Sequence, residues 1–184
     1  FLPPPPPFTS PTTTMIETLT VSIPCDRVEK FVWADNETWT RVLQTLPGFV
    51  QKTMTIDPST ANASECTLWN FILWESYELW KSVPTSVLKD TDDAMAKMYG
   101  DEVPVTPFPF GESDGLKVLY DTMQPIGGVK PVALKNEAIE FNRFTIDCVY
   151  LNDFFAADNA TWTQFLSTKP GFKRKILAVS YDSL

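Results

Sequence analysis

Residues 34–52 read ADNETWTRVLQTLPGFVQK, and residues 157–175 read ADNATWTQFLSTKPGFKRK. The offset is 123 without a gap, and 12 of the 19 positions are identical. Working outward, the same offset aligns Ile16-Glu17 with Ile139-Glu140, Ile23 with Ile146, Cys25 with Cys148 and Phe31 with Phe154. Self-similarity at one fixed offset is the mark of a duplicated unit.

Each copy opens as a strand. Leu19, Val21 and Ile23 alternate with Thr18, Thr20 and Ser22, the period of a half-buried strand. Phe144 and Ile146 hold the matching places in the second copy, so a strand is expected there too. Val28, Phe31, Val32, Trp39, Val42 and Leu43 recur near helical spacing, with Asp35-Asn36 expected to kink or recap the helix midway. Pro47-Gly48 and Pro170-Gly171 end the helices, and second strands are expected over Phe49–Ile56 and Phe172–Val179.

The first copy then continues through a turn at residues 57–60, a strand over Cys66–Trp74, and a helix from Glu75-Ser76 that carries Tyr77 and Trp80. Thr85-Ser86 are expected to cap a helix over Val87–Tyr99. A Pro-rich loop over Val103–Gly115 leads to a strand over Leu116–Tyr120. The order is β-α-β-β-α-β, the split βαβ pattern of an α+β, ferredoxin-like module. The expected organisation is a Pro-rich N-terminal arm over 1–14, a first module over 15–120, a linker over 121–138 and the first half of a second module over 139–184. A half module leaves an open sheet edge. A partner chain, the linker or continuation past Leu184 is expected to cover it. Phe1 in place of Met points to a longer precursor or to ends that were not included.

Composition removes several function classes. Net charge is -8 and the pI is about 4.5, so nucleic acid is not an expected ligand. The chain has no His, which excludes His-ligated zinc or haem, Ser-His and Cys-His nucleophile pairs, and His bases. No cofactor and no metal are expected. No apolar run reaches the length of a membrane span. The odd, low count of three Cys reads as a reduced chain rather than a disulfide scaffold. Sequons at Asn36-Glu37-Thr38, Asn62-Ala63-Ser64 and Asn159-Ala160-Thr161 weigh only weakly against it.

Candidate residues each carry a plainer alternative. Asn36 with Trp39, Asn159 with Trp162, and Trp69 with Asn70 could line a cofactor-free pocket. The plainer reading makes the Trp residues helix-on-sheet packing and the Asp-Asn pairs helix caps. Trp80 reads as packing with Lys81 solvated. Asp90, Asp92 and Asp93 read as a solvated acidic face, without the Gly and Glu of a calcium loop. Cys25 and Cys148 are expected to be able to meet across a pseudo-twofold axis. Phe1, Leu2, Pro3, Pro4, Pro5, Pro6, Pro7 and Phe8 form a polyproline candidate with apolar ends, either a disordered tail or a partner-binding strap.

Residues 15–120 resemble small cyanobacterial and plastid proteins of the dimeric α/β-barrel superfamily, which includes the antibiotic-biosynthesis monooxygenase-like proteins. The features that carry the likeness are Met15-Ile16-Glu17, Trp39 with Pro47-Gly48-Phe49, and Trp74-Glu75-Ser76 with Trp80-Lys81-Ser82-Val83-Pro84. The second copy keeps Trp162 and Pro170-Gly171-Phe172. The resemblance implies two sheets facing each other as a barrel, which tandem copies can build within one chain. It supplies no activity for this branch. It implies a plastid location and, as the expected partner, a thylakoid complex such as a photosystem met on its stromal side, peripheral to the membrane. The expected role is a non-catalytic binding or assembly subunit. The alternative is a cofactor-independent monooxygenase or isomerase acting on a small aromatic substrate.

Overall fold

The computed structural model of the chain describes residues 14–57, 59–60, 64–103, 105–107, 116–121, 140, 142 and 144–180. The expected strap, Phe1 to Phe8, lies outside the described residues, as does nearly all of the expected linker.

The chain is α+β. Strand β1 (Met15–Pro24) is the hub of the sheet. It pairs antiparallel along its whole length with β3 (Glu65–Trp74), from Met15 opposite Trp74 to Pro24 opposite Glu65. Strand β2 (Phe49–Ile56) runs antiparallel along the outer side of β3, with a bulge between Phe49 and Gln51. The other edge of β1 is shared by β4 (Val105–Pro107), opposite Leu19 to Val21, and β5 (Leu116–Asp121), opposite Met15 and Ile16. Strand β6 (Ile176–Ser180) pairs antiparallel with β5, so the path reads β2-β3-β1-β5-β6.

Cross-strand pairs share a face. Met15, Val21 and Ile23 therefore lie beside Trp74, Leu68 and Cys66, and all six are buried. Helices α1 (Val28–Asp35), α2 (Arg41–Leu43), α3 (Tyr77–Lys81) and α4 (Thr85–Tyr99) supply residues that pack on this face. Phe31 and Ala34 of α1 join Met95 and Tyr99 of α4 over Val21, Ile23 and Leu68. At the far end Leu43, Trp39, Leu46, Phe49 and Trp80 surround Met15, Ile72 and Trp74. Burying each such side chain stabilises by about 1.5–3 kcal/mol. Helix α3 starts on Ser76, whose hydroxyl accepts from the Leu79 N–H. Helix α4 starts one residue after Pro84, so Thr85 lies inside its first turn rather than capping it, and it stops on Gly100 at φ 93°.

The second copy places α5 (Leu151–Asp158) and α6 (Gln164–Ser167) after a short 3-10 turn at Cys148–Tyr150. Two expected strands differ. Phe144–Asp147 is not a strand, and Phe172–Lys175 precedes β6 as irregular chain rather than opening it. A strand needs a neighbour to satisfy its N–H and C=O groups. In the first copy β3 supplies that neighbour to both β1 and β2, whereas no described strand pairs with Phe144–Asp147.

The expectation of a reduced chain is also corrected. Cys25 and Cys66 form a disulfide with Cα atoms 4.9 Å apart. Ile23 is opposite Cys66 in the β1–β3 ladder, so Cys25 arrives beside it as β1 ends. An odd count excludes a fully paired set but not one bridge. That bridge leaves Cys25 no thiol with which to join Cys148, which is exposed on the 3-10 turn.

Candidate functional site

Residues 34–52 and 157–175 share one local structure. Helix α1 passes without a break into a π-helical turn at Asn36–Thr40 and then into α2, and α5 passes through Asn159–Thr163 into α6. The Asp-Asn pairs therefore neither cap nor end a helix, because both residues stay right-handed helical. A π turn widens the backbone ring and frees carbonyls for other donors. Thr38 Oγ1 donates to Ala34 O at 2.7 Å, and Thr161 Oγ1 donates to Ala157 O at 2.7 Å.

The Asp beside each π turn pairs with a part-buried lysine. Lys52 Nζ is 2.5 Å from Asp35, which also accepts from Thr40 Oγ1 at 3.1 Å. Lys175 Nζ is 2.6 Å from Asp158, which accepts from Thr163 Oγ1 at 3.4 Å. Sequence reasoning missed these pairs. The signal was present, since Asp, Thr and Lys are identical at all three places in both copies. Arg174 Nη1 donates to Gln51 Oε1 at 2.7 Å, joining two equivalent positions of the copies.

Polar groups also meet on the helix side of the first unit. Trp74 Nε1 donates to Glu17 at 3.2 Å. Desolvation pushes the Glu17 carboxyl above the usual carboxylate range, against the Trp74 hydrogen bond and the charge of Lys52. Asn70 shares this face and is buried, with Oδ1 accepting no hydrogen bond from the described residues. Its sequence neighbour Trp69 points to the opposite face, as alternation along β3 requires, so the two do not form one site. Asn36 is exposed at the surface of its π turn. Trp80 is half-buried under Lys81, whose Nζ lies 4.2 Å from its ring centre. Among the described residues no group of acidic or Cys side chains is placed to hold a metal. Asp92 accepts from Trp39 Nε1 at 3.2 Å and Asp93 pairs with Lys89.

The two units differ in what lies over them. In the first, α4 covers the helix pair. Tyr99 meets Phe31 edge-on at 5.5 Å, and Met95 Sδ accepts from Thr38 Oγ1 at 3.5 Å. Val21, Phe31, Ala34 and Thr38 are buried as a result. Their counterparts are Phe144 at 60% exposure, Phe154 half-buried, and Ala157 and Thr161 exposed. Trp162, the counterpart of half-buried Trp39, is 62% exposed beside exposed Phe165. No described helix of the chain is long and apolar enough to cross a membrane. Comparison with models of known families, with curated proteins and with solved structures finds no match to this chain.

Proposed function

We propose that the chain is a non-catalytic docking subunit of a larger assembly. The observation that carries this reading is the exposed aromatic side of the second unit, where Phe144 and Trp162, beside exposed Phe165, stand at the counterparts of buried Val21 and half-buried Trp39. In this reading residues 15–120 form a ferredoxin-like module, 121–138 a linker and 139–184 half of a second module. The strand order β2-β3-β1 with β5 beyond it supports the module. The matched π turns and ion pairs support the duplication. The β5–β6 ladder and the Arg174–Gln51 contact support a pseudo-twofold pairing of the units, as in the dimeric α/β-barrel superfamily that the sequence resembles.

The proposed setting is a plastid assembly such as a photosystem, met peripherally on its stromal side, and its support is the resemblance alone. The disulfide adds a condition, because such a bridge is rarely kept in a permanently reducing compartment. The N-terminal strap, Phe1 to Phe8, is a second proposed contact. Co-purification from native membranes followed by mass spectrometry tests the reading. A defined set of assembly subunits is expected, and recovery of the chain alone overturns it.

A second reading, a cofactor-independent monooxygenase or isomerase, draws on the buried Asn70 Oδ1, which has no hydrogen-bond partner among the described residues and lies on the face that carries Glu17. Oxygen uptake with a quinol or polyphenol that disappears in Asn70→Ala would favour it.

A further inference from the structure

Independently of the docking reading, we infer that Asn36 carries an N-linked glycan whose first sugar lies on Trp33. Asn36-Glu37-Thr38 is an acceptor pattern, an Asn with a hydroxyl residue two places on. A match of this length carries little alone, and three observations of the first unit give it weight. Asn36 is exposed where α1 passes into the π turn, so a bulky branch there meets solvent. Cys25 and Cys66 are joined as a disulfide, the mark of a chain that folds in an oxidising lumen, where such glycans are attached. A glycan requires passage through that lumen, whatever the final address of the chain. Lastly, α1 leaves an apolar patch one turn before Asn36, with Trp33 53% exposed and Val32 36%.

The Asn36 N–H donates to both Trp33 O and Val32 O, so the three residues share one strip of the helix surface. A helical side chain covers the turn N-terminal to its own Cα. The sugar on Asn36 is therefore laid toward Trp33, whose apolar indole face suits the C–H side of a pyranose. The second copy keeps the acceptor pattern at Asn159-Ala160-Thr161 but has Ala156 in the place of Trp33. Aromatic support is thus particular to Asn36.

The transfer joins Asn36 Nδ2 to the anomeric carbon of a lipid diphosphate-linked oligosaccharide. The bond from that carbon to the diphosphate oxygen breaks, the lipid diphosphate leaves with the electron pair, and the amide loses one proton. In the folded unit Thr38 Oγ1 is buried and donates to Ala34 O at 2.7 Å. The acceptor pattern is therefore open only before this segment folds, and the transfer precedes folding.

Glycopeptide mass spectrometry of the full chain from its source tests the modification. After peptide:N-glycosidase F in heavy-oxygen water, position 36 is expected to be recovered deamidated and labelled, and an unmodified Asn36 overturns the inference. The seat of the sugar is tested on chain from a secretory host that glycosylates Asn36. Removing the whole glycan should lower the melting temperature by about 2 °C or more in the wild type and by clearly less in Trp33→Ala. Trimming to the first sugar should leave it unchanged. Equal losses in the two chains, or a loss on trimming alone, overturn the contact with Trp33. Trp33 is exposed, and circular dichroism melts before deglycosylation confirm that the variant folds. Co-purification decides the docking reading separately, whichever way the glycan falls.

Discussion

Residues 34–52 and 157–175 build the same local structure in two different surroundings. Both make a helix, a π turn, a short helix and a Pro-Gly exit, and both set a Lys on an Asp seventeen residues earlier. In the first, α4 lies over the helices and β2 completes a ladder with β3. In the second, Trp162 and Phe165 are exposed and the chain before β6 is irregular. Local hydrogen bonding is thus the same with and without a described covering helix, while burial and strand pairing differ. Energies of matched substitutions in the two units should separate these contributions.

The largest difference is expected at the ion pairs. Asp35→Ala leaves Lys52 charged where its side chain is 8% exposed, and should cost about 3–5 kcal/mol in urea denaturation. Asp158→Ala leaves Lys175 at 17% exposure with readier access to water, and should cost about 1–2 kcal/mol. Equal costs would mean that the covering layer contributes nothing to the first pair.

The disulfide comes next. It closes a loop of sequence separation 41 within the first unit. Cys25→Ser with Cys66→Ser should lower stability by about 2–4 kcal/mol. Cys148→Ser, at the exposed counterpart of Cys25, should stay within about 0.5 kcal/mol of wild type.

The Pro-Gly exits offer a finer comparison. Gly48 and Gly171 both lie in the left-handed region, at φ 80° and 84°. A Cβ at Gly48 would come 2.7 Å from Leu79 Cβ, so α3 must shift, whereas nothing lies within 4 Å of a Cβ at Gly171. Gly171→Ala should cost only the backbone term, about 1 kcal/mol, and Gly48→Ala roughly 2–3 kcal/mol.

The smallest effect concerns Glu17. Its folded carboxyl titrates above the unfolded value because burial disfavours the charge. Its contribution to stability is present below the unfolded pKa and is lost as pH rises through the raised folded pKa. Glu17→Gln should therefore raise the melting temperature at neutral pH and flatten its decline with pH. Glu140→Gln, at the exposed counterpart, should leave the melting temperature at neutral pH unchanged.

Much of the architecture was legible from side-chain period. β2 spans Phe49–Ile56 as expected, β3 starts one residue early at Glu65, and α4 extends two residues before Val87. β3 alternates and α4 repeats because one face of each is buried, whereas β2 is half-buried along most of its length. The short β4 was hidden in a Pro-rich stretch, where Val105–Pro107 has too few residues to show a period. The roles of Asp35 and Lys52 were hidden differently. Their identity in both copies was visible, but a carboxylate beside Asn reads as a helix cap until a lysine seventeen residues away is seen to reach it.

Chain-local chemistry accounts for the π turns, the threonine back-bonds and the Pro-Gly exits, since each depends on groups within a few residues and forms in both units alike. Partners from distant parts of the chain account for the rest. Phe144–Asp147 shares its place in the repeat with part of β1 and yet is not a strand, because a strand is stable only when another satisfies its backbone groups. Cys25 bonds Cys66 because the β1–β3 register carries both to one end of the sheet. Trp39 is half-buried and Trp162 exposed because burial belongs to the neighbour that excludes water, and in the first unit that neighbour includes α4.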